Sequence, residues 1–139
     1  MPNNCCKIQQ ENIMAKRIII TSIALFVGGL HFVTGENYRG PFPAFVNGYM
    51  IDILLPMTMV LLMGLFQTAW LRSNIFRFCA VFGFGCFVEV SQYFGYPFLG
   101  STFDPLDILA YALGAFLGLA VDAGLNALLA RRVEKSNVV

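Results

Sequence analysis

The stretch "IFRFCAVFGFGCFVEVSQYF", residues 75–94, decides how this chain is read. It has the roughly 20 residues a helix needs to cross a hydrocarbon layer. Most of it is an apolar run built for lipid, yet Glu89 and Gln92 interrupt its last turns. A carboxylate facing lipid there costs at least a few kcal/mol, so the face bearing it should turn toward other helices. Membrane placement and a buried polar site therefore arise from the same twenty residues.

The whole chain agrees with that reading. Its 139 residues suffice for one domain, and 58% of them are hydrophobic against 12% charged. That charged share is about half of what a soluble domain carries, which points to a bilayer. A formal net charge of +1 gives no footprint for nucleic acid, which requires clustered Lys and Arg on a solvated face. Working outward from residues 75–94, three further spans appear at about 18–34, 45–70 and 106–129. Turn-rich segments "GENYRGPFP", "LRSN" and "GYPFLGSTFDP" separate them. The expected fold is an all-α, four-helix polytopic transmembrane bundle. Residues 1–16 form a polar cytoplasmic tail, 17–130 the membrane domain and 131–139 a basic cytoplasmic tail.

Orientation follows from the basic residues. Lys7, Lys16, Arg17, Arg72, Arg77, Arg131, Arg132 and Lys135 would share one side, and of the nine Lys and Arg only Arg39 falls on the other. The positive-inside rule then puts both termini in the cytoplasm of a multi-pass inner- or plasma-membrane protein. Lys16-Arg17 followed by "IIITSIALFVGGL" imitates a signal peptide, but the segment continues "HFVTGEN" with no small-residue cleavage site, so an uncleaved span is expected.

In this orientation most carboxylates map to the outer half. Glu89 and Gln92, at i and i+3, share a helix face. Asp52 lies at similar depth, and Pro56 four residues later lacks the N–H that would bond its carbonyl, so span two should bend there. Asp104, Pro105 and Asp107 read as N-cap, N1 and N3 of the last helix, close to a capping box. Asp107 can also face the cluster, and Tyr111 one turn deeper can donate to Glu89. Arg39 sits in the first outer loop, and His31, which could join the cluster, is expected near the headgroups. A satisfied interhelical hydrogen bond accounts for Glu89 without any ligand.

Ala110, Gly114, Gly118 and Asp122 recur every four residues, a small-residue stripe for close helix packing within the bundle or in a homodimer or partner complex. Asp122 should pair with Arg72 or Arg77. Cys79 and Cys86 read as apolar filling, while Cys5 and Cys6 are adjacent near the amino terminus and open to lipid modification. With His31 the single histidine, no Cys/His metal set can be assembled and no metal or cofactor is expected. No GxSxG, HExxH or phosphate-binding glycine loop occurs.

Residues 87–118, "FVEVSQYFGYPFLGSTFDPLDILAYALGAFLG", resemble the carboxyl-terminal half of VanZ-like membrane proteins. In that pattern Glu-x-x-Gln ends one span, and Asp with a glycine stripe follows in the next, as do Glu89, Gln92, Asp107, Gly114 and Gly118 here. The run "LGSTFDPLDILAYALG" is similar to the hallmark of a neighbouring bacterial four-span family of unknown function. Arg39, Gly48 and Asp52 match that family's Arg and Gly-Asp-like pair at looser spacing. The chain departs from VanZ-like proteins at Gly100-Ser101-Thr102, where they carry an arginine, and at Tyr111, where they carry Asn. The resemblance implies an envelope-facing role.

These readings converge on an outward pocket lined by Arg39, Asp52, Glu89, Gln92, Asp107 and Tyr111. Its ligand would be polar or amphipathic, such as a lipid headgroup or a cell-wall intermediate. Two other accounts stay open. One is an intramembrane enzyme with Glu89 and Asp107 as an acid/base pair. The other is an accessory subunit that binds a partner through Gly114 and Gly118.

Overall fold

The computed structural model describes residues 2–33, 38–96 and 103–136. Among these the regular structure is entirely helical. Helix α1 spans Pro2–Val33. A single turn, α2 (Pro43–Phe45), runs through a π-helical turn at Val46–Met50 into α3 (Ile51–Met63). Helix α4 covers Asn74–Tyr93 and α5 covers Pro105–Ser136. Four segments are long and apolar enough to cross a membrane: Gln9–His31, Pro43–Met63, Asn74–Tyr93 and Pro105–Val133.

Two boundaries differ from the sequence reading. The polar residues before position 17 are not a separate tail in the backbone, because α1 begins at Pro2, where proline suits a first helical position. Its 32 residues run about 48 Å at 1.5 Å per residue, so its polar first turns project beyond a layer about 30 Å thick. The second span does not continue to Trp70. It ends at Met63, where Gly64 caps the helix and the Leu65 and Phe66 N–H groups form tight i→i+3 bonds to Leu62 and Met63. The chain then makes a 3₁₀ turn over Trp70–Arg72, and Ser73 starts α4 by accepting the Phe76 N–H at 3.3 Å. The side chains of Cys5, Cys6, Lys7 and Lys135 lie outside the described residues, as do Gly100, Ser101 and Thr102.

Close packing of α3 on α5 holds the bundle together. A Cβ at Gly114 would collide with the Ile53 carbonyl, and one at Gly118 would stand 2.7 Å from the Met57 carbonyl oxygen. The four-residue stripe thus lets two backbones approach, and it is occupied inside the bundle. Val60, Val81 and Ala115 form the adjoining core, with Met59, Met63, Phe78 and Leu119 packed around them. Helix α4 lies against α5, and α1 against α3. Large apolar side chains such as Leu25, Phe26, Phe87 and Phe116 are exposed, the pattern of a bundle whose outer face meets hydrocarbon.

The ends of the helices carry the chemistry. Helix α4 stops in a Schellman motif: the Tyr96 N–H reaches the Ser91 carbonyl at 3.0 Å and the Gly95 N–H reaches Gln92 at 2.9 Å. Gly95 adopts φ +80°, a conformation glycine takes without the Cβ penalty. At the opposite end, the start of α1 meets the last turns of α5. Asn12 donates to the Leu129 carbonyl at 3.2 Å, and Lys16 to Asn126 at 2.9 Å. The first half of α1 and the last turns of α5 therefore meet at one end of the bundle.

Candidate functional site

Polar side chains gather in two places, one at each end of the bundle. The first is built where α4 ends and α5 begins. Asp104 caps α5 by accepting the Leu106 N–H at 2.9 Å, as the sequence leads one to expect. In a full capping box the residue at N3, here Asp107, would turn back to take the N–H of the cap residue. Instead Glu89 of α4 takes it, accepting the Asp104 N–H on Oε2 at 3.2 Å. The other Glu89 oxygen accepts the Tyr111 hydroxyl at 3.0 Å. Glu89 is only 1% exposed, and both of its oxygens are engaged.

Gly85 makes the Tyr111 bond geometrically available. A Cβ there would lie 2.8 Å from Cγ of the Tyr111 ring, so the ring rests on the bare α4 backbone. From that position the hydroxyl reaches one turn along α4 to Glu89. Asp52, arriving from α3, also stands within hydrogen-bonding reach of Tyr111 and in electrostatic range of Glu89, Asp104 and His31. A phenol has one hydrogen to donate. With that hydrogen on Glu89, the Asp52 carboxyl retains capacity for another partner. Asp107 lies within electrostatic range of Asp52, Glu89 and Asp104. Tyr49 adds a contact of 3.4 Å to Asp104 Oδ2.

Asp52 and Tyr111 face a cavity of about 450 Å³. Helix α3 supplies one wall through Ile51, Leu55, Pro56 and Met59; α4 supplies the other through Val81, Phe84, Gly85 and Val88. His31, from the end of α1, completes the polar corner beside Asp52. The volume falls within the roughly 300–1,000 Å³ typical of small-molecule sites. The shape is an apolar slot closed at one corner by a carboxyl, a phenol and an imidazole.

The structure divides the expected pocket residues into three groups. Asp52 and Tyr111 line the cavity. Glu89, Gln92 and Asp107 do not line it; Glu89 stands behind Tyr111 and orients it. Arg39, expected in the lining, is exposed and outside it. His31, expected either to join the cluster or to sit near the headgroups, belongs to the lining. Its position near the end of the first span was visible in the sequence, but the direction its side chain takes depends on how α1 packs. Among the described residues, no group of three or more His, Cys, Asp or Glu side chains is placed to hold a metal ion.

The second polar cluster is of another kind. Asp122 of α5 forms an ion pair with Arg77 at 2.9 Å and one with Lys16 at 2.7 Å. Of the two expected partners, Arg77 is the one engaged, while Arg72 is exposed. Arg77 also donates to Asn74 at the start of its own helix. Gly64 makes room for the pair, because a Cβ there would run into the Arg77 guanidinium and stand 3.3 Å from Asp122 Oδ2. Arg77 and Asp122 are each only 5% exposed. Lys16 was legible as an orientation charge; its role as a second cation on Asp122 appears only in three dimensions.

No protein-family model, curated protein or solved structure matches the chain.

Proposed function

We propose that this chain is a VanZ-like, four-span protein of a bacterial inner or plasma membrane. Both termini lie in the cytoplasm, and the protein binds an amphipathic envelope molecule in an outward-facing intramembrane pocket. The orientation rests on the basic residues: Lys16, Arg17, Arg72, Arg131 and Arg132 collect at the end of the bundle holding Asp122, and Arg39 lies toward the other. The cavity beside Asp52 is then in the outer half.

The observation that carries the binding reading is the cavity itself. An apolar slot ending in Asp52, Tyr111 and His31 fits a molecule with one greasy and one polar part. The engagement of both Glu89 oxygens favours binding over an acid/base pair of Glu89 and Asp107, since a proton-transferring carboxyl must reach the reacting group. Glu89 is a positioning residue in this account.

Native mass spectrometry of the protein released from nanodiscs tests the proposal. Wild type is expected to retain a bound amphipath through delipidation, and Tyr111→Phe and Asp52→Asn to retain less while keeping the wild-type helical circular dichroism. Equal retention by all three proteins would sink it.

A further inference from the structure

The cavity's opening and its charge say more about what enters it. The rim residues Leu55 and Phe84 are 45% and 39% exposed although both line the cavity. Phe84 is ten residues from Asn74 and nine from Tyr93, the ends of its span. At 1.5 Å per residue that places it about 15 Å from either end, near the middle of the hydrocarbon layer. Leu55 lies likewise in the interior of Pro43–Met63. The open rim therefore faces lipid tails rather than water. Helix packing gives the reason: α1 packs on α3 and α5, and α4 packs on α3 and α5, but α1 and α4 share no extensive contact. The slot lies over α3 between them.

The polar corner is acidic. Asp52 stands in electrostatic range of Glu89 and Asp104, Asp107 adds a fourth carboxyl, and His31 is the basic group in that set. Both ion pairs found between described residues are at Asp122, at the other end of the bundle. A phosphate head placed here would find carboxyls where it needs cations, whereas an amine would find hydrogen-bond acceptors and a carboxyl to pair with.

We infer that the pocket takes a single-chain lipid bearing an amine, which slides in from the bilayer between α1 and α4 and lays its chain along α3 with its head at Asp52, Tyr111 and His31. This rests on the binding reading above and adds the route and the ligand class.

Oleylamine, oleic acid and ethanolamine, each titrated against the full chain in phosphatidylcholine nanodiscs, test it through bound stoichiometry and the thermal unfolding midpoint. Oleylamine is expected to bind saturably, oleic acid at least about tenfold more weakly, and ethanolamine not measurably. Phe84→Trp and Leu55→Trp, which narrow the rim, should each weaken oleylamine about tenfold or more, while Phe116→Trp on an exposed face of α5 should not. Two rim variants and the unliganded midpoints separate a blocked entrance from a misfolded protein. Ethanolamine binding as well as oleylamine would overturn the lateral route and leave a water-entered pocket. Oleic acid binding as well as oleylamine would overturn the amine assignment. If no probe saturates, both this inference and the binding reading fail.

Discussion

The two polar clusters differ in how their charges are balanced. At the Asp122 end, one carboxylate meets two cations, Arg77 and Asp122 are buried, and a glycine leaves space for the guanidinium. At the Glu89 end, four carboxyls gather around two phenols, a backbone N–H and one imidazole, and an open slot adjoins them. Burying a charge is tolerable when it is paired and hydrogen-bonded. The first cluster pairs its carboxylate with two cations, although Arg77 Nε has no hydrogen-bond partner among the described residues, and reads as a structural fastening. The second satisfies Glu89 and sets Asp52 facing the cavity, a polar group placed in an apolar lining as ligand sites have it.

That contrast can be broken by mutation. The largest effect is expected for Asp122→Ala, which strands Arg77 in the interior and should destabilise the bundle by about 3–5 kcal/mol. The Asp122→Leu/Arg77→Leu pair should recover most of that loss in thermal unfolding. If the single variant unfolds like wild type, the fastening account is wrong. Next comes Gly114→Leu, which forces a side chain against the α3 backbone and should cost about 1–3 kcal/mol or more. The same variant shows whether the glycine stripe serves anything beyond the bundle: a self-association loss larger than the folding loss would point to a partner surface.

Tyr111→Phe removes a hydrogen bond to a buried carboxylate and is expected to cost about 1.5–3 kcal/mol, with loss of the retained amphipath as a second readout. Asp52→Asn should show the smallest effect on folding, within about 0.5 kcal/mol of wild type, because the amide keeps the size of the carboxyl and an oxygen that accepts hydrogen bonds. Its ligand retention should nonetheless fall. A variant neutral for stability but defective in binding is the outcome that separates the two ends most sharply; strong destabilisation by Asp52→Asn would place Asp52 in the structural class with Asp122.

The sequence carried the helical architecture because length and apolarity are local properties, readable along one strand of text. The Asp104 cap and the α3-facing glycine stripe were legible for the same reason: each depends on spacing within one helix. What escaped is what depends on a second helix. Glu89 replacing Asp107 as the partner of the Asp104 N–H joins residues fifteen apart across a turn. Lys16 reaches Asp122 from the far end of the chain. His31 enters the cavity because of how α1 packs on α3, and Arg39 is exposed outside the lining. The early end of α3 was also hidden, since Gly64 to Trp70 remains largely apolar while its backbone abandons the helix.

The borrowed cap at Asp104 has a bearing on assembly. Asp104 caps the opening turn of α5 locally, but a carboxylate from the preceding helix supplies the partner of its own N–H, so the cap is complete only once α4 lies beside it. As the chain emerges and inserts, α5 should fray at this end until it has docked beside α4, and the hairpin would lock in a single step. The carboxylate that positions the phenol of the pocket thus also reports that the last two spans have found each other.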